Sequence, residues 1–109
     1  MITGINFKSS EFITLCKSHK VRELFAFGSV VNGNFTKDSD IDLVVDIDEK
    51  DPVNKGGLLL SLWDKFEKYF GRKVDLLTPD SIRNPYLKES IDDTKKLIYS
   101  SGSKEKVLF

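Results

Sequence analysis

The sequence predicts an α/β (α+β) domain with a small mixed β-sheet flanked by helices. Two observations carry that prediction. Short runs rich in β-branched and aromatic residues, Val21–Phe27, Ile41–Ile47 and Lys73–Thr78, read as strands. Between and around them lie longer stretches whose apolar residues recur at helical spacing, and such alternation builds a sheet with helices packed on it.

Taken in order, Ser9 or Ser10 caps a first helix over Glu11 to Ser18, with Phe12, Leu15 and Cys16 on one side. His19, at its end, is expected to face solvent. Val21 to Phe27 is the first strand and stops at Gly28. Ser29 to Asn34 is a short helical turn or tight loop, and Phe35 to Asp38 a polar connector. Ile41 to Ile47 is so nearly continuous in apolar residues that both its sides should be covered. Asp48 to Asn54 reads as an acidic loop, after which Gly56 and Gly57 introduce a helix from Leu58 to Phe70. Leu59, Leu62, Trp63, Phe66 and Phe70 mark its core side and Gly71 ends it. Lys73 to Thr78 is a short strand closed by Pro79. Tyr86 to Tyr99 is read as a final helix with half-buried tyrosines, and residues 1–99 as the whole domain. Residues 100–109 form a mobile tail, or a peptide that docks elsewhere.

A chain of 109 residues holds one core. Seventeen basic residues balance seventeen acidic ones, which argues against direct nucleic-acid binding through a basic face and removes any long-range barrier to meeting another protein. The single cysteine, Cys16, forms no internal disulfide and is expected to pack as a small apolar residue in a reducing compartment. No apolar run is long enough to span a bilayer, and the N-terminus lacks the pattern of a signal peptide. A cytoplasmic location, away from membranes, is therefore expected.

The chemistry concentrates in Gly28-Ser29-Val30-Val31-Asn32-Gly33 and the following Ser39-Asp40-Ile41-Asp42-Leu43-Val44-Val45. A Gly-Ser turn offers a flexible backbone and a hydroxyl to a phosphate chain. Residues two apart in a strand share a face, so Asp40 and Asp42 project together. Asp75, in the short apolar run Val74-Asp75-Leu76-Leu77, joins them if its strand neighbours theirs. Three clustered carboxylates repel one another and lose hydration, and a divalent cation removes that conflict. Oxygen-only ligands select Mg²⁺ or Mn²⁺. The site thus reads as metal-dependent and directed at a nucleotide. Asp46 and Asp48 continue the alternation but run away from the turn.

In this order the motifs resemble those of the minimal nucleotidyltransferases of the DNA polymerase β-like superfamily, a resemblance that extends from Val21 to Tyr99. It implies the polymerase β-like fold, with ATP as substrate and Mg²⁺ or Mn²⁺ as cofactor. Asp40 and Asp42 would bind metal, and Asp75 would be the third carboxylate, the one that activates the acceptor hydroxyl. Gly28, Ser29, Gly33 and Ser39 would make the nucleotide-binding set. Members often carry Ala-Arg before the second glycine, where this chain has Val31-Asn32. Lys37, Arg72 or Lys73 could supply the missing cation, although each also reads as a solvated surface charge.

Relatives that act on small molecules or RNA ends add a helical domain to grip the acceptor, and none is seen here, so a protein acceptor is expected. The resemblance implies an antitoxin that AMPylates a HEPN-type ribonuclease toxin. Two alternatives stay open: a non-catalytic antitoxin that acts by protein–protein binding, and nucleotide transfer to a small molecule or RNA within a complex.

Overall fold

A computed structural model describes residues 6–32, 36 and 38–102. The chain runs α1 (Ser10–Ser18), β1 (Val21–Phe27), α2 (Ser29–Asn32), β2 (Ile41–Ile47), α3 (Pro52–Phe70), β3 (Val74–Leu77), a single 3₁₀ turn (Pro79–Ser81), α4 (Pro85–Thr94) and β4 (Lys96–Ser100). The four strands form one sheet in the order β3-β2-β1-β4. β1 is antiparallel to β2 and to β4, whereas β2 and β3 are parallel. The sheet is therefore mixed, as expected, and the parallel pair is bridged by α3, the long crossover that parallel strands require.

The main differences from the sequence reading lie at the start of α3 and at the C-terminal end. α3 begins at Pro52, not near Leu58. Asp51 caps it through a bond from the Val53 N–H, and Pro52 occupies the first turn, where no N–H is needed. Gly56 and Gly57 lie inside the helix. The expected last helix is also split. It ends at Thr94, Lys95 takes an extended conformation (ψ 146°), and Leu97, Ile98 and Tyr99 enter β4 on the edge of β1. Pairing with an open strand edge outweighs the continued helical pattern. Ser100, expected to open the tail, instead closes β4, and the Ser101 N–H bonds the Arg22 carbonyl; the rest of the expected tail, residues 103–109, lies outside the described residues.

One face of the sheet carries the main core. Phe12 and Cys16 of α1 and Leu62 and Phe66 of α3 are fully buried together with Leu24, Ala26, Leu43 and Val45. The Phe12 and Phe66 rings stack 5.4 Å apart, and Phe7 meets Phe12 edge-on. Burial pushes the Cys16 thiol up to about 12, in keeping with a packing role.

His19 is buried, contrary to the solvent-facing expectation. Its Nδ1–H donates to the Leu15 carbonyl (2.8 Å), which leaves Nε2 to accept from the Ser61 hydroxyl (2.9 Å). The imidazole thus ties α1 to α3. Tyr86 is exposed (83%) while Tyr99 is buried, so neither is half-buried. Among the described residues no helix is long and apolar enough to cross a membrane.

Candidate active site

The parallel register of β2 and β3 sets Asp42 directly beside Asp75. Their shared face also carries Phe27, paired with Asp42 across β1, and Phe25, paired with Val44. Asp40 lies just outside β2 and is exposed, whereas Asp42 is half-buried. Asp42 feels this arrangement. Loss of hydration, then the charge on Asp75, then that on Asp40 push its carboxyl up to about 6. The adjacency on which the sequence reading depended is therefore real.

The start of β3 is fixed from α3. Trp63 Nε1 donates to the Val74 carbonyl (2.7 Å), and the Val74 N–H donates to Glu67 Oε2 (3.0 Å). Both backbone groups facing away from β2 are thus satisfied immediately before Asp75, while the Ile41 N–H bonds the Lys73 carbonyl on the β2 side (3.1 Å). Trp63 belongs to the scaffold, as its helical spacing predicts.

Gly28 closes the opposite wall. Its φ of +72° is the left-handed conformation that glycine adopts freely, and a β-carbon there would overlap Asp42 Oδ2. The Val31 N–H bonds the Gly28 carbonyl (3.0 Å) as the chain turns into α2, and Val30 is buried. The Gly-Ser turn is thus shaped to let backbone lie against a carboxylate. Ser29 is half-exposed beside it.

Ser39 takes part in a turn of its own. Its Oγ accepts from the Thr36 N–H (2.9 Å), and its N–H donates to the Thr36 carbonyl (3.1 Å). Gly33 and Lys37 lie outside the described residues. Among the described residues no group of three or more His, Cys, Asp or Glu side chains is gathered closely enough to hold a metal ion by itself. Asp42 and Asp75 form a pair with Asp40 at its edge, an open arrangement and not the converged triad the sequence suggested. Asp46 and Asp48 stand apart, both paired with Arg22 (3.6 and 2.6 Å).

Sequence reasoning missed Arg72. Expected as a solvated charge or a phosphate contact, it donates through Nη1 to the carbonyls of Thr36 and Ser39, each at 3.1 Å. No local signal could show this, because the acceptors lie more than thirty residues upstream (|i−j| of 36 and 33).

Comparison with known proteins identifies the family and the fold. Residues 10–98 match the family model described as "Nucleotidyltransferase domain". MJ1379 of Methanocaldococcus jannaschii, provisionally named a protein adenylyltransferase, is 43% identical over 81 residues, which cover 74% of this chain and 78% of the relative. Two solved structures share the fold. A toxin–antitoxin structure with AMP-PNP superposes with a TM-score of 0.67 at 22% identity, covering 90% of this chain and 76% of the other. A complex of tri-AMPylated Shewanella oneidensis HEPN toxin with MNT antitoxin gives 0.52 at 20% identity, with 84% and 68% covered. The match across nearly the whole sheet and its helices, together with the Asp42–Asp75 pair, leads to one conclusion: this chain belongs to the nucleotidyltransferase domain family and is a nucleotidyltransferase.

Proposed function

We propose that this chain moves AMP from ATP onto a hydroxyl of a partner protein, and that the partner is a HEPN-type toxin which it silences as an antitoxin. The observation that carries the reading is the Asp42–Asp75 register pair with Gly28 against it. The acceptor class is supported by the name of MJ1379 and by the AMPylated toxin found with an MNT antitoxin. The reaction belongs in the cytoplasm, where ATP is supplied.

The residues fit a divalent cation. The donors are all carboxylate oxygens, and Asp42 is held in a charge conflict that a cation relieves. Asp40, Asp42 and Asp75 would hold Mg²⁺ or Mn²⁺, and their open arrangement leaves positions for phosphate oxygens, as Mg²⁺ prefers. When bound, the cation would neutralise phosphate charge and make the acceptor hydroxyl more acidic. Asp75 takes the hydroxyl proton as the acceptor oxygen bonds to the α-phosphorus. The bond from that phosphorus to the bridging oxygen breaks, and pyrophosphate leaves with its electron pair. Gly28, Ser29 and Ser39 would receive the triphosphate, a role the resemblance also gives to Gly33, which lies outside the described residues. The protein's share is mainly positioning and charge neutralisation.

The test is incubation with labelled ATP, Mg²⁺ and the product of the neighbouring gene. Label should pass to that protein, and the Asp40→Asn/Asp42→Asn double variant should lower the rate by roughly a thousandfold. No transfer, or equal transfer by the variant, overturns the reading. Cells still protected from the toxin by the double variant would show instead that contact alone neutralises it.

A further inference from the structure

Asp40 has an unusual position for a metal ligand. It precedes β2, so the strand ladder reaches it only through the neighbouring bond from the Ile41 N–H to the Lys73 carbonyl. It is also exposed, so packing does not fix it. What holds the backbone on its other side is a small turn closed by three contacts between Thr36 and Ser39. That turn directs two carbonyl oxygens, those of Thr36 and Ser39, at one guanidinium nitrogen of Arg72.

Arg72 comes from the link between α3 and β3, immediately after the left-handed Gly71 that ends the helix. The same stretch therefore does two things: it starts the strand that bears Asp75 and grips the turn that presents Asp40. Hydrogen bonds from a charged donor are stronger than those between neutral groups, and the guanidinium remains charged at every working pH.

We propose that Arg72 is a positioning residue, which fixes the Asp40 carboxylate relative to Asp42 and Asp75 by clamping the Thr36–Ser39 turn. This inference rests on the metal-binding role proposed above for Asp40. In this role Arg72 acts through the backbone carbonyls of the turn and is not itself a ligand. Its effect should therefore disappear when Asp40 can no longer serve as a ligand.

The experiment is a double-mutant cycle on the full chain, with Mn²⁺ binding measured calorimetrically in the presence of a non-hydrolysable ATP analogue. Arg72→Met should weaken Mn²⁺ binding about tenfold, the scale typical for partners that orient a ligand. Arg72→Lys, which keeps a charged donor, should recover most of that loss. In the Asp40→Asn background, Arg72→Met should cost less than twofold further. Amide exchange at Ser39 should also quicken in Arg72→Met while the amides of β1 keep their protection.

Wild-type Mn²⁺ affinity in Arg72→Met, or a full tenfold loss in the Asp40→Asn background as well, overturns the proposal. If Arg72→Met does not fold, the cycle is run with Arg72→Lys and Arg72→Gln, and equal affinity of these two overturns it. If Asp40→Asn alone leaves Mn²⁺ binding unchanged, the role given to Asp40 fails first, and the inference fails with it.

Discussion

On the face of the sheet beneath α1 and α3, aromatic rings stack and the buried histidine has a partner for each ring nitrogen. On the other face, two carboxylates stand side by side in register, and Asp42 is forced toward its protonated form by burial and by its neighbours. The first face gains free energy from every group it encloses. The second spends part of that gain to hold charges where solvent alone would separate them. The contrast shows why so small a domain devotes Phe12, Leu62 and Phe66 to one side: the site is an electrostatic load carried by the opposite layer.

The contrast is broken most severely from the covered face. Phe66→Ala opens a cavity beneath the Phe12 ring and should cost about 3–5 kcal/mol in urea unfolding, while the transfer rate per folded molecule stays near wild type. Gly28→Ala attacks the open face. The positive φ and the overlap with Asp42 Oδ2 should together cost roughly 1–3 kcal/mol, with Mn²⁺ binding weakened in the same samples. Ser61→Ala takes the hydrogen from His19 Nε2 and should lower stability by about 1 kcal/mol, seen as a lower denaturation midpoint with activity retained.

One effect of similar size has the opposite sign. The native Asp42 carboxyl, at about 6 against an ordinary 3.8, holds its proton more tightly than in the unfolded chain. Stability therefore falls as pH rises through that window, and the penalty is complete above it. Asp42→Asn should thus stabilise the metal-free protein at pH 7.5, by about 1 kcal/mol once solvent screening of a half-exposed group is allowed for. The gain should vanish below pH 3.5. Thermal melts with a chelator at both pH values check this, and a destabilised variant at pH 7.5 would contradict the electrostatic account.

The elements whose signals are local were legible. Val21–Phe27 and Ile41–Ile47 have the boundaries the sequence gives them, because each begins and ends where its apolar pattern does. The start of α3 is ambiguous in the sequence because Gly56-Gly57 and the Asp51-Pro52 cap both signal a helix start, and the cap prevails. β4 was hidden for a different reason: Lys96–Ser100 is compatible with either state, and only the vacant edge of β1 decides between them. The site divides in the same way. Asp40 and Asp42 stand out through their spacing, whereas Asp75 depended on strand adjacency. The roles of His19 and Arg72 depend on partners, Ser61 and the Thr36–Ser39 turn, that only the tertiary fold brings near.

The parallel pairing of β2 with β3 bears on the order in which the molecule assembles. Asp42 and Asp75 are separated in sequence by the whole of α3, so they cannot meet until that helix has formed and its strand has crossed back. Loop closure of this kind is slow compared with pairing neighbouring strands such as β1 and β2. During synthesis the β1–β2 ribbon can form while the helix is still emerging, with Asp42 as yet unopposed. The repulsion between the two carboxylates is then met only when β3 docks, once α1 and α3 have brought enough of the apolar layer into place to outweigh it.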